Sequence, residues 1–384
     1  MAKVLIIGSY APSLLIFRGH LLRKIRSIGH EVYACAPDAD ETVKKKLAKW
    51  GITYSNVKIQ RTGMDPLSDL YLVKQYVALF RSIRPDIVLP YTIKPVIYGL
   101  IAARFTAIPI RAAMITGLGY AFIGKGIVRK ILGVLVWILY KFALSRNQMV
   151  FFQNKDDKDL FNRLSLVGKY SRQIVVNGSG VDVEFFKEVA LPKQTAFLMI
   201  ARLIKEKGVM EYVEAARLVK KQYPDVPFFL AGWIDDAPGA ISQKDIDSWV
   251  AEGTIEFVGK LEDVRPVIEK CSVYVLPSYR EGTPRTVLEA MAMGRAIITT
   301  DTPGCRQTVQ VGENGFLVSV QTVQPIANAM KYFIENSAQV SRMGKESRCI
   351  VTKMYDVHKV NQTIINAIGL KNKSVLSVGS GRIV

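Results

Sequence analysis

Short apolar runs alternate with amphipathic helical stretches along the whole chain, and few folds accept that alternation. In the first half the runs are KVLIIGSY, HEVYACAP, DIVLPYT, IRAAMIT and MVFFQN, separated by stretches such as RGHLLRKIRSIG and YLVKQYVALFRSIR with apolar residues at helical spacing. TAFLMIARL, PFFLAGW, IEFVGK, VYVLPS, RAIITTD and GFLVS repeat the scheme in the second half. A strand that returns through a helix lies parallel to its predecessor, so the pattern implies parallel sheets with helices on both faces. A chain of 384 residues, 49% of them apolar, is too long for one ordinary core and fits two. The expected fold is α/β: two doubly wound, Rossmann-like domains facing across a cleft. The joint falls in QIVVNGSGVDVEFFK, where Gly178 and Gly180 flank Ser179. This puts one domain at 1–178, a second at 179–355, and a terminal helix with a basic, fraying tail at 356–384. Ligands of such sheets lie beyond the C-terminal ends of the strands.

Charge is spread unevenly. Through Gly180 there are 27 Lys and Arg against 10 Asp and Glu, and beyond it 25 against 23, so the first half carries +17 of the net +19. A basic half suits nucleic acid, anionic lipid or a phosphorylated substrate. Nucleic acid is set aside, because neither an aromatic-lined basic repeat nor a recognition-helix motif accompanies the charge. Cys35, Cys271, Cys305 and Cys349 form no C-x-x-C pair, which argues against a zinc site or a disulfide framework. MAKVLIIGSY reads as a strand entering a turn, without the apolar core and cleavage site of a signal peptide, so the expected compartment is the cytoplasm. GIVRKILGVLVWILYKFALSR is uncharged from Ile131 to Tyr140 and bracketed by Arg129, Lys130, Lys141 and Arg146. Ten helical residues rise only about 15 Å, half the hydrocarbon thickness, so the segment cannot span a membrane. Two readings of 127–146 stand: an interfacial helix, or a buried crossover helix of the first domain.

The most specific stretch is REGTPRTVLEAMAMG, residues 280–294. A strand, VYVLPS, ends before it and a helix begins near Arg285, so unpaired N–H groups at the helix start can hold a phosphate and Gly282 lets the backbone approach. Thr283, Arg285 and Thr286 stand at the same turn. Glu289, one turn into the helix, can accept from a vicinal diol such as a ribose, and Glu281 lies at the lip of the site. Each carboxylate alone is ordinary; the pair after a strand is rarer. In ARLIKEKG, Arg202 ends another strand and Lys207 precedes Gly208 and a new helix, giving a forked donor and a mobile point charge that can clamp a diphosphate.

ARLIKEKG and VLPSYREGTPRTVLEAMAMGRAIITTDTPGCRQTV together resemble the second domain of retaining nucleotide-sugar glycosyltransferases of family 4, which have the GT-B fold and an E-x7-E signature, here Glu281 and Glu289. The likeness extends over nearly the whole chain, through TIKPVIYGLIAA, ITGLGYAFIG, VNGSGVD and a final helix that in such folds crosses back to the first domain. TGLGYAFIG, MIARLIKEKG, AGWIDDAPGAIS and VLPSYREGTP are similar to the subgroup of α-1,3-N-acetylgalactosaminyltransferases that act on undecaprenyl-diphosphate-linked sugars. The resemblance implies that Arg202 and Lys207 bind the donor diphosphate, Glu289 the ribose and Glu281 the transferred sugar. It also implies that the loop at Gly259, Lys260 and Leu261 covers the base. Gly8, Ser9, Tyr10, Arg18, Thr116, Gly117 and Gly119 fall on the acceptor side by their position in that fold.

The implied reaction is retaining transfer from a UDP-sugar, GalNAc favoured, to a polyprenyl-diphosphate-linked sugar in surface glycan assembly. It needs no cofactor or metal, because cations stabilise the leaving diphosphate, and the enzyme would lie peripherally on the anionic inner face of the cell membrane. The chain departs from the family where many members place a histidine after the fourth strand: PYTIKPV offers Thr92 and Lys94, and Lys94 is the expected replacement contact to donor sugar or acceptor diphosphate. His30, in GHEV, is expected to be structural. A dinucleotide-dependent oxidoreductase is disfavoured because GSYAPS lacks G-x-G-x-x-G after the first strand. A soluble acceptor, and a UDP-sugar epimerase of the same fold, are the alternatives.

Overall fold

The computed structural model describes residues 1–60, 65–117, 127–145, 148–235 and 239–372. The chain divides into two compact units: Met1–Ser179 together with the C-terminal segment from His358, and Gly180–Val357. The tail from residue 373, with its expected fraying, lies outside the described residues.

In chain order the first unit contains β1 (Lys3–Ile7), α1 (Pro12–Ile16), α2 (Gly19–Ser27), β2 (Glu31–Ala36), α3 (Glu41–Lys49), β3 (Thr53–Asn56), α4 (Pro66–Ile83), β4 (Ile87–Pro90), α5 (Ile93–Ala103), β5 (Ile110–Ile115), α6 (Ile127–Ala143), β6 (Met149–Phe152), α7 (Lys155–Arg163) and β7 (Arg172–Val175). The strands pair in parallel in the order β3-β2-β1-β4-β5-β6-β7. β4 is buried throughout, as its unbroken apolar run requires, whereas no residue of the edge strands β3 and β7 is fully buried. α4, α5 and α6 cover one face of this sheet and share a core of Leu72, Tyr76, Phe80, Val96, Leu100, Val136 and Tyr140.

α6 has a buried face and a solvent-facing apolar one. Val136, Tyr140 and Ala143 are buried, while Val134 (58% exposed), Leu135, Ile138 (49%) and Phe142 face solvent. Trp137 belongs to the inner side: its indole N–H donates to the Leu164 carbonyl at 3.0 Å, and the Lys141 ammonium lies 4.7 Å from its ring centroid. Among the described residues no helix is long and apolar enough to cross a membrane.

The second unit contains β8 (Phe197–Leu203), α8 (Val209–Lys220), β9 (Phe228–Ile234), α9 (Gln243–Ala251), β10 (Glu256–Gly259), α10 (Arg265–Glu269), β11 (Val273–Leu276), α11 (Arg285–Ala292), β12 (Ala296–Thr300), β13 (Gly315–Val318), α12 (Gln324–Glu335) and α13 (Ser337–Met354). Its parallel sheet runs β10-β9-β8-β11-β12-β13. The last helix, α14 (Val357–Ala367), places Val360, Ile364 and Ile365 in the first unit's core with Leu14, Leu21 and Leu22.

Each sheet reverses its winding once, between β1 and β4 in the first unit and between β8 and β11 in the second. Loops leaving the two strands at such a point diverge and open a crevice. In the second unit this brings Gly208, at the start of α8, against the end of β11. Gly208 has φ +77°, and a Cβ there would lie 2.2 Å from the Pro277 carbonyl oxygen. Gly208→Ala is expected to destabilise the protein by at least about 2 kcal/mol through left-handed strain and backbone displacement, read as a shift in the urea unfolding midpoint.

Candidate active site

The reversal between β8 and β11 brings the E-x7-E stretch to Lys207 of ARLIKEKG. Arg202 lies near the end of β8, and Lys207 closes the 3-10 turn Lys205–Lys207 that leads through Gly208 into α8. Glu281 sits in the loop between β11 and α11, and the Lys207 ammonium donates directly to its Oε1 in a mostly buried ion pair. This loop is tied on both sides. The Tyr279 N–H donates to the Glu206 carbonyl at 2.9 Å, and the Glu281 N–H donates to the Pro303 carbonyl at 3.1 Å. Gly304 permits the second contact, since a Cβ there would meet the Glu281 carbonyl oxygen at 2.3 Å. Below them the Thr300 and Thr302 hydroxyls donate to the Ser278 carbonyl.

Glu289 is buried one turn into α11, with Arg285 Nε donating to its Oε1 at 2.8 Å. Burial raises the Glu289 carboxyl pKa from its ordinary value, and the Arg285 guanidinium opposes that rise. Thr286 is turned inward, where it accepts the Tyr274 phenol at 2.6 Å, and the Thr283 hydroxyl donates to the Gly282 carbonyl at 2.9 Å. Gly259 ends β10 with φ +78°, Lys260 follows it with its ammonium 5.9 Å from the Trp233 ring centroid, and Leu261 packs on the core. Asp235 accepts from Arg202 Nη1 at 3.0 Å. Its position just past the end of β9 was the available signal.

In the first unit the other reversal brings the end of β1 to the end of β4. The Gly8 N–H donates to the Cys35 carbonyl, and the Thr92 hydroxyl donates to the Ser9 hydroxyl at 2.9 Å, next to the exposed Tyr10. Thr92 holds φ +67° and ψ 163°, a conformation that ordinarily only glycine adopts and that concentrates at functional sites. Arg18 starts α2 with its guanidinium 4.9 Å from the Tyr91 ring centroid and Nη1 3.3 Å from the Ser179 hydroxyl. The Lys94 ammonium is committed to Asp69, 2.9 Å away, which also accepts the Tyr98 phenol at 2.6 Å; this packs α5 on α4. Thr116 and Gly117 follow β5, and Gly119 lies outside the described residues. His30 is buried, accepting the Ala2 N–H on Nδ1 at 3.2 Å and donating from Nε2 to the Lys371 carbonyl at 3.1 Å, a structural pair of bonds.

The two units carry the marks of one class. Residues 3–154 match the family described as Glycosyl transferase 4-like, and residues 181–349 match Glycosyl transferases group 1. The chain therefore belongs to the group 1 and 4-like glycosyltransferases and is a transferase. It is 25% identical over 338 residues to an N,N'-diacetylbacillosaminyl-diphospho-undecaprenol alpha-1,3-N-acetylgalactosaminyltransferase from Campylobacter jejuni, covering 84% of this chain and 87% of that one. It is 23% identical over 304 residues to a UDP-Gal:alpha-D-GlcNAc-diphosphoundecaprenol alpha-1,3-galactosyltransferase from Escherichia coli, covering 75% and 76%. Among solved structures, Anabaena HepE in complex with UDP superposes with a TM-score of 0.76 at 19% identity over 95% of this chain and 99% of that one. Sucrose-phosphate synthase from Thermosynechococcus elongatus gives 0.76 at 17% identity over 96% and 98%. The fold is GT-B.

Removing Arg285 leaves a buried carboxylate without its cation. Arg285→Met is expected to cost roughly 3 kcal/mol at neutral pH. The folded-state pKa of Glu289 lies above its ordinary value, so the cost is absent below about 4.5 and grows as pH rises through the folded-state value. Urea unfolding of wild type and variant at pH 5 and 7.5 should show the gap widening with pH.

Proposed function

We propose that the protein transfers a sugar, GalNAc favoured, from a UDP-sugar to a sugar carried on polyprenyl diphosphate, with retention at the anomeric carbon and without a metal. The observation that carries this reading is the Lys207–Glu281 ion pair at the winding reversal of the second unit, with Arg202 near the end of β8 and Glu289 buried one turn into α11. The substrates named for the Campylobacter and Escherichia relatives, and the UDP in the HepE complex, support the choice of donor and acceptor. An incoming diphosphate takes Lys207 and Arg202 from Glu281 and Asp235, and the freed Glu281 carboxylate accepts hydroxyls of the transferred sugar. Glu289 accepts from the ribose diol. As the bond from the anomeric carbon to the β-phosphate oxygen breaks, the two cations and the N–H groups after Gly282 take up the developing charge. The acceptor hydroxyl attacks from the face the phosphate leaves, and its proton passes to the departing phosphate.

The first unit supplies the acceptor side, at Ser9, Tyr10 and the strained Thr92. The solvent-facing apolar row Val134, Leu135, Ile138 and Phe142 rests on the cytoplasmic membrane face, where anionic lipid meets the basic first half of the chain.

Two measurements test this. A panel of labelled UDP-sugars with a short-chain polyprenyl-diphosphate sugar, with and without EDTA, should give chelator-resistant lipid-linked product from one donor. Arg202→Ala should lower kcat/KM by about 100-fold or more. Label released only as free sugar points to the epimerase, and transfer only to a soluble acceptor removes the lipid. Val134→Asp with Ile138→Asp should weaken partitioning onto anionic vesicles at least about tenfold, because two apolar side chains leave the interface. Both are exposed, so Tm should hold.

A further inference from the structure

Trp233 is the next-to-last residue of β9, and 45% of its surface faces solvent. Its register partner on β8 is Arg202. Partners on adjacent parallel strands have backbones about 5 Å apart and project from one face of the sheet, so Trp233 and Arg202 share that face on neighbouring strands. On its other flank Lys260, just past β10, holds its ammonium 5.9 Å from the ring centroid. Arg202, Trp233 and Lys260 thus follow one another across the C-terminal ends of β8, β9 and β10, with the exposed indole in the middle. Ile234, also exposed, turns to the opposite face by strand alternation, so the two exposed apolar side chains do not adjoin. A flat aromatic ring attached to phosphate fits both features of the row: the ring stacks on the indole and the phosphates meet the flanking charge.

We propose that Trp233 binds the nucleobase of the donor by stacking, one strand along the sheet from the diphosphate held at Arg202. This rests on the donor-site reading above and adds to it a residue and an interaction. The base is read by its face, so stacking supplies affinity for any pyrimidine or purine, and preference among bases must come from hydrogen bonds at the ring edge.

The test titrates wild type, Trp233→Ala, Trp233→Phe and Arg202→Ala with two probes, UDP and inorganic pyrophosphate, by calorimetry. Stacking is expected to make Trp233→Ala bind UDP about 5- to 150-fold more weakly, with pyrophosphate affinity unchanged, while Trp233→Phe keeps most UDP affinity. Arg202→Ala should weaken both probes. UDP should also quench wild-type tryptophan fluorescence, and this quenching should vanish in Trp233→Phe, since Trp249, the other tryptophan of this unit, is buried. UDP affinity in Trp233→Ala equal to wild type, or an equal loss for UDP and pyrophosphate, overturns the proposal while leaving the donor site standing. Wild-type protein that binds neither probe overturns the donor site and this inference with it.

Discussion

The ion pair between Lys207 and Glu281 is the contact on which the second unit's site depends. It joins the loop after β8 to the loop after β11, the two segments that the winding reversal would otherwise let diverge. Backbone bonds from Tyr279 to Glu206 and from Glu281 to Pro303 fix the same loops, so the carboxylate and the ammonium are held where they must meet. Mostly buried charges satisfy one another only at short range, and that makes the pair both a clasp and a place where a more strongly charged ligand can intervene. In the proposed reaction a diphosphate, which carries more negative charge than one carboxylate, outcompetes it for the cation.

The first unit uses the same topology for a different surface. At its reversal the contact is between two hydroxyls, Ser9 and Thr92, and the strain at Thr92 is the price of placing that hydroxyl. Where the second unit presents fixed charge, this unit presents polar groups, a basic surface and, on α6, an apolar row turned to solvent. The contrast fits the roles proposed for the two units, a nucleotide at one and a lipid-carried acceptor at the other.

Much of this was legible in the sequence because buried parallel strands must be apolar throughout. The six runs of the second half correspond to β8 through β13, and the helix expected near Arg285 begins there. β3 and β7 were not foreseen: TYSN and RQIV lie at the sheet edges, where one side meets water and no apolar run is required. The chemistry of Glu281, Glu289, Arg202 and Lys207 could be read from residue type and position after strands. Their pairings could not, since the Lys207–Glu281 and Arg202–Asp235 contacts join segments 74 and 33 residues apart. Lys94 shows the same limit: as a cation near a strand end it looked available to substrate, but an aspartate one helix away holds it. α6 could be read as core or interface because sequence hydrophobicity does not assign faces; its inner and outer rows make it both a crossover helix and an exposed apolar surface.

The central claim is that diphosphate and Glu281 compete for Lys207, and that Glu281 then serves the sugar. A double-mutant cycle on these two residues, with UDP affinity and single-turnover transfer measured separately, tests it most directly. The account predicts that Lys207→Ala loses UDP affinity, while Glu281→Ala binds UDP at least as tightly as wild type yet fails to transfer the sugar. Parallel loss of UDP affinity in both single variants, or undiminished transfer by Glu281→Ala, would contradict it.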